Sequence, residues 1–217
     1  SIVDIEGNQA TFHLDGASAA QVSQAISEAA QAGVTRFILT GDSEALGLYD
    51  ENPFSGIQIE LLDLSGVTGW QDRDADGLPE LPAESFRHTG SSDFSGLQEV
   101  ILPQEIQQLQ DYAFYKCTNL TKITAPGVVR VNSFAFQSCT KLAEVSMPEV
   151  TYLGTNAFMS TALQVADFPK LQTLEGSVFW LCSKLTEVNL PEATTNENAT
   201  QVSQGGSRTA INTLADS

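Results

Sequence analysis

Hydrophobic and polar positions repeat along the second half of the chain, from Leu97 to Pro191, with a period of 21 to 23 residues. Each unit opens with the pattern L-x-x-(V/I/A)-x-(L/A/M/F)-P, seen as LQEVILP, LTKITAP, LAEVSMP, LQVADFP and LTEVNLP. A proline closes each of these stretches: Pro103, Pro126, Pro148, Pro169 and Pro191. Self-similarity at this period indicates a solenoid of stacked units.

A second apolar pattern follows the prolines, and in four units it ends in a phenylalanine: Phe114, Phe136, Phe158 and Phe179. We therefore predict that each unit holds a short strand, a turn at the proline and a tighter return segment. Alternation along the strand places Val100 and Leu102 inward and Glu99 and Ile101 outward. Because no unit can bury its apolar side alone, stacking forms the core, with the phenylalanines in one column.

The chain before the repeat has a different pattern, which predicts a strand, a helix and a strand between Ala10 and Asp42. Ser18 is suited to the N-cap of this helix, and Gly33 to its end. Four apolar residues share one helical face: Val22, Ala25, Ile26 and Ala29. We expect residues 1–56 to form an α/β unit that caps the solenoid. The segment LDGASAA has one glycine, which argues against a glycine-rich nucleotide-binding turn.

The repeat resembles the BspA-like leucine-rich repeats of bacterial cell-surface proteins. The resemblance rests on L-x-x-(V/I)-x-(L/M)-P followed by A-F-x-x-C-x-x-L, seen as AFYKCTNL from Ala113 and FAFQSCTKL from Phe134. It covers Leu97 to Pro191 well. Two units depart from it, because Thr161 stands where cysteine is usual and the last unit stops after its strand.

The resemblance implies a fold of the α/β class. This is a right-handed leucine-rich-repeat solenoid of short parallel strands and about six coils, over residues 57–193, with an N-terminal βαβ-like cap. It also assigns one more strand, from Ile59 to Leu64, and one more return segment, from Leu81 to Phe86. The stretch between them, around residues 67–80, is then an insertion that bulges from its coil. Residues 194–217 are polar and form either a tail or a partial cap.

The net charge of the chain excludes some classes of binding partner. Ten basic against 27 acidic residues give a net charge of −17, which repels nucleic acid and anionic lipid surfaces. No stretch has the roughly 20 apolar residues of a membrane helix, and the first residues lack the features of a signal peptide. The chain alone leaves two locations open, the cytoplasm or export by a leader outside this sequence. The resemblance implies the cell surface or secretion.

One acidic segment suggests metal binding. Asp72, Asp74 and Asp76 alternate before Gly77, as in the first half of a calcium loop, and Glu80 follows. The second half departs from that loop, because its twelfth position is Ala83 and not a glutamate. Two interpretations remain, a calcium turn that stiffens the insertion or a solvated acidic loop, and we favour the second. No other cofactor is expected.

The three cysteines and two histidines offer little further chemistry. Cys117 and Cys139 occupy the same place in adjacent coils, about 5 Å apart, which a disulfide can bridge. Free thiols that pack as small apolar side chains are the favoured alternative. Cys182 lies two coils away, and no zinc spacing is present. For His13, a structural role is far commoner than catalysis.

Two rows of outward side chains remain as a candidate binding face. The first row is Glu99, Lys122, Glu144, Val165 and Glu187, and the second is Ile101, Thr124, Ser146, Asp167 and Asn189. We expect a non-enzymatic, monomeric adhesion module that recognises a protein or glycan, including host extracellular ones, through this sheet. A rigid spacer in a surface complex is the alternative, and a hydrolytic enzyme ranks below both.

Overall fold

The computed structural model describes residues 1–191 and 195–196, and these form a parallel β-solenoid of about eight turns. In chain order the strands are β1 (Val3–Glu6), β2 (Gln9–His13), β3 (Arg36–Asp42), β4 (Leu61–Thr68), β5 (Glu80–Leu81), β6 (Glu99–Ile101), β7 (Gln108–Leu109), β8 (Lys122–Thr124), β9 (Arg130–Val131), β10 (Glu144–Ser146), β11 (Tyr152–Leu153), β12 (Val165–Asp167), β13 (Thr173–Leu174), β14 (Glu187–Asn189) and β15 (Thr195–Asn196). One α-helix, α1 (Ala19–Gln31), lies between β2 and β3, and a 3-10 helix (Ser43–Leu46) follows β3.

The strands build two faces of the solenoid. One sheet has the order β1-β2-β3-β4-β6-β8-β10, parallel except for the β1–β2 hairpin. β12 and β14 form a separate parallel pair. We call β2, β3, β4, β6, β8, β10, β12 and β14 the front strands. The return segments form a second parallel sheet, the back sheet, in the order β15-β13-β11-β9-β7-β5.

The N-terminal segment continues the solenoid. Ser18 caps α1 in a capping box with Gln21, and the expected face of Val22, Ala25, Ile26 and Ala29 is buried. α1 is the return of the first turn, because β2 and β3 pair in parallel and β3 then pairs with β4. The six coils expected from the repeat run from β4 to β14, and β2 and β3 supply the further turns. The capping role of this segment and the right-handed sense remain predictions.

A column of buried phenylalanines runs through these turns. It comprises Phe12, Phe37, Phe54, Phe86, Phe114, Phe136, Phe158 and Phe179. Successive ring centroids lie 5.1 to 6.4 Å apart. The predicted column is therefore present, and it extends into the N-terminal turns. Each ring packs on rings of the adjacent turns, so the turns share one core.

The cysteines are free and buried. The thiols of Cys117, Cys139 and Cys182 each donate a hydrogen bond of 3.0 Å to a phenylalanine carbonyl of the preceding coil. Burial raises the pKa of Cys117 well above its usual value. The pKa of Cys182 is also raised by burial, although a hydrogen bond from Thr161 opposes this rise. The thiols of Cys117 and Cys182 therefore stay protonated and unreactive at neutral pH.

Candidate functional site

The acidic segment brings three of its four predicted ligands together. One carboxylate oxygen each from Asp72, Asp74 and Glu80 lies within 4.8 Å of the other two. Asp76 is outside this group. Its Oδ1 accepts a hydrogen bond of 2.9 Å from the Leu78 N–H and its Oδ2 accepts one of 2.8 Å from a side chain of the next coil.

Hydrogen bonds from backbone N–H groups to the Asp72 carboxylate hold the turn in shape. Asp72 accepts from the N–H groups of Asp76 and Gly77, at 3.1 and 2.7 Å. Ala75 and Gly77 both have positive φ angles, 57° and 88°, which let the chain reverse within this short segment. The turn is thus organised by its own first carboxylate.

Polar side chains of the back sheet anchor the same turn. Gln110 donates to Asp74 at 3.0 Å and Gln108 donates to Asp76 at 2.8 Å. Asn132, one coil further, donates to both glutamine oxygens, at 3.0 and 2.7 Å. Sequence reasoning placed the insertion as a bulge and missed these anchors. The one sequence feature that points to these anchors is that Gln108 and Gln110 flank an inward leucine in a return segment.

Burial and hydrogen bonds shift the pKa values of two carboxyl groups in this turn. Glu80 is only 5% exposed, and burial raises its pKa, although the N–H of Arg73 opposes this with a 3.0 Å hydrogen bond. Burial also acts to raise the pKa of Asp76, but hydrogen bonds from Leu78 and Gln108 outweigh it and the pKa is lowered. The Arg73 guanidinium lies over the ring of Tyr49, 2.9 Å from its centroid.

The donor set fits a hard cation. Calcium takes six to eight oxygen ligands, and the cluster supplies three carboxylates from Asp72, Asp74 and Glu80. A bound calcium would draw its other ligands from water or backbone carbonyls. The ion would offset the cost of holding the Glu80 carboxylate in a buried position.

The front strands place the two predicted rows in register. Glu99, Lys122 and Glu144 are aligned partners, and so are Ile101, Thr124 and Ser146. In the last two coils Val165 is paired with Glu187 and Asp167 with Asn189. The register is interrupted between β10 and β12, so the rows form two segments.

Exposure differs between these segments. The side chains from β6 and β8 are half-buried: Glu99, Ile101, Lys122 and Thr124. Those from β10, β12 and β14 are exposed: Glu144, Ser146, Val165, Asp167, Glu187 and Asn189. The one cation of the two rows, Lys122, lies 3.6 Å from Glu144.

The N-terminal turns widen the same face, which the sequence analysis did not foresee. Parallel pairing aligns Arg36 with Leu61, Ile38 with Asp63, and Asp63 with Ile101. These residues therefore extend the two rows across β3 and β4. We call the outward side chains of all the front strands the front face.

Several aromatic side chains gather outside the front face. The Arg87 guanidinium lies 4.3 Å from the ring centroid of Tyr112 and 5.2 Å from that of Tyr115. Tyr112 also stacks on Phe134, with centroids 4.8 Å apart. Arg87 also forms an ion pair with Glu84, so its charge is balanced within the cluster, and we assign the cluster to the stability of the turns.

The histidines have structural partners. His13 Nε2 lies 3.0 Å from an Asp4 carboxylate oxygen, and its Nδ1 lies 3.4 Å from the Thr40 hydroxyl. These three side chains lie on the solvent-facing surface of the sheet that contains β2 and β3, and the His13 side chain is 49% exposed. His88 Nδ1 accepts a hydrogen bond from the Phe94 N–H at 3.1 Å. No helix in the described part of the chain is long and apolar enough to cross a membrane.

Solved structures of three bacterial leucine-rich proteins are similar to this chain. A leucine-rich repeat protein from Bacteroides ovatus has 17% identity and a TM-score of 0.54, over 68% of this chain and 37% of that one. A leucine-rich cell surface protein from Faecalibacterium prausnitzii has 22% identity and a TM-score of 0.48, over 54% and 32%. The leucine-rich repeat protein of T. pallidum has 22% identity and a TM-score of 0.42, over 59% of this chain and 68% of that one.

The likeness to the Bacteroides ovatus protein bears on the fold alone, and the chain spans about a third of the length of the first two proteins. A comparison with curated protein sequences found no match. The family model of the BspA type leucine rich repeat region matches six copies over residues 82–202, which is more than half of the chain. The repeat first read from the prolines and phenylalanines is therefore that of the BspA-type leucine-rich repeat family, and the chain belongs to it.

Proposed function

We propose that the protein is a non-enzymatic binding module of the bacterial cell surface, or secreted, that captures a protein or glycan partner through its front face. The observation that supports this most is the register of the outward rows over β6, β8 and β10. The repeat family consists of bacterial surface proteins and is consistent with an interaction module. The chain acts as a monomer in this proposal.

The physical case rests on rigidity. Each outward side chain sits on a hydrogen-bonded strand above a shared core, so its position is set before a partner arrives. Binding to such a surface orders few groups, which lowers the entropic cost of association. Solenoids use their continuous sheet surface in this manner.

Blocking the front face should abolish partner capture. The native cysteines are fully buried, so a cysteine introduced at exposed Ser146 is the group that a maleimide polymer labels. We expect labelled Ser146→Cys to lose binding on panels of host extracellular proteins and glycans, as read by surface plasmon resonance. Unlabelled Ser146→Cys should bind as the parent protein does.

A label of the same size at Ser23 provides the control, because Ser23 is exposed on α1, away from the front face. Labelled Ser23→Cys should retain capture. If both labelled variants bind equally well, the front face is not the binding surface, and the rigid-spacer alternative gains support. Equal melting temperatures would establish that both variants are folded.

We further propose that the turn of Asp72, Asp74 and Glu80 binds calcium and stiffens the insertion. Extracellular calcium modules have dissociation constants of about 1 mM. At about 10 mM calcium this adds roughly 1.4 kcal/mol of stability and raises the melting temperature by about 4 °C. Calorimetric titration and thermal melting of chelator-treated protein measure both quantities.

Asp74→Asn should remove the calcium effect, since the amide oxygen can still accept from Gln110 but carries no charge. Asp50→Asn, an exposed acid outside the turn, should leave it intact. Absence of binding heat in the parent protein would eliminate the calcium site.

A further inference from the structure

The cations of the front face already have partners. Arg36 lies 2.9 Å from Glu60, and Lys122 lies 3.6 Å from Glu144. The His13 ring, which lies on the same face, already has the Asp4 carboxylate as its hydrogen-bond partner. The positive charge on this face is thus neutralised within the chain before any ligand binds.

Carboxylates of the same face remain without a cation. Among the described residues, no basic group lies within 4.0 Å of Asp63, Glu99, Asp167 or Glu187. Adjacent parallel strands are about 4.8 Å apart, which is less than the screening length of about 8 Å in physiological salt. Asp63 and Glu99 lie on adjacent strands and so do Asp167 and Glu187, so the carboxylates of each pair act together, and both pairs add to the field of a chain with net charge −17.

Apolar side chains lie among these carboxylates. Ile38 and Ile101 flank Asp63 in one row and are half-buried, while Val165 is 43% exposed further along the face. The patch therefore offers apolar contact area directly beside carboxylates, and protein interfaces combine apolar and polar contacts of this kind.

Resting on the binding role proposed above, we infer that the front face takes a lysine- and arginine-rich segment of a protein partner. Its cations meet Asp63, Glu99, Asp167 and Glu187, and its apolar side chains cover Ile38 and Ile101. The same field disfavours acidic proteins and anionic glycans. Uncharged glycans gain no binding affinity from this negative field.

The test compares two variants with the same net charge. The front variant carries Glu99→Gln, Asp167→Asn and Glu187→Gln. The control variant carries Glu28→Gln, Glu44→Gln and Glu51→Gln, at exposed positions outside the front face. The probes are a synthetic oligolysine peptide and an oligoglutamate peptide, with affinity measured by calorimetry at low and moderate salt.

We expect oligolysine to bind the parent protein, more weakly as salt rises, and oligoglutamate not to bind. The front variant should lose about tenfold in affinity, whereas the control variant should lose less than about twofold. Equal losses in both variants, or no oligolysine binding to the parent protein, would refute the inference. If the label at Ser146 still blocks capture of a neutral or acidic partner, the binding role stands and the basic partner does not.

Discussion

Replacing Phe136 with alanine should lower the free energy of unfolding by about 4 kcal/mol. The Phe136 ring lies between Phe114 and Phe158, with centroids 5.2 and 5.1 Å away and ring planes nearly parallel. It is fully buried, so its loss leaves a cavity bounded by two coils as well as removing apolar area from the core. Urea unfolding followed by circular dichroism measures the change.

Phe134→Ala is the matched control, since it removes an equal ring two residues away. Phe134 is half-buried and stacks on Tyr112 outside the phenylalanine column. We expect a cost of about 1 kcal/mol for this variant. Equal costs would mean that the column contributes no more than ordinary surface packing, contrary to a core shared between turns.

The repeat could be predicted from the sequence because every coil of the solenoid needs the same kinds of residue at the same positions. A phenylalanine must recur in every coil to continue the column, and a strand must place the same residues inward each time. The N-terminal turns share the column, through Phe12 and Phe37, but not the proline pattern. There α1 replaces the short return segment, so those turns resembled a separate unit.

The candidate sites were predictable to the extent that they are local in sequence. Asp72 and Asp74 lie within one turn, so their convergence follows from their spacing. The anchors Gln108 and Gln110 come from the next coil, and only the register of β5 with β7 brings them to the acidic turn. Likewise, Asp63 joins the front face through pairing with Ile101, which no local pattern shows.

Gly127→Ala should be nearly as damaging as the loss of the Phe136 ring. A Cβ at Gly127 would lie 1.9 Å from the carbonyl oxygen of Gln104 and 2.7 Å from its carbon, both in the backbone of the preceding coil. Backbone atoms cannot rotate away as a flexible side chain does, so the two coils must separate locally. We expect a loss of about 3 kcal/mol in unfolding free energy, measured by urea unfolding.

Gly90→Ala separates this clash from the general effect of adding a methyl group. A Cβ at Gly90 meets no atom within 4 Å, so alanine there should leave stability unchanged or raise it by up to about 1 kcal/mol through the unfolded chain. The two variants should therefore differ by at least about 3 kcal/mol. A difference near zero would mean that adjacent coils separate at little cost, and the front rows would then lack the rigid spacing on which partner capture depends.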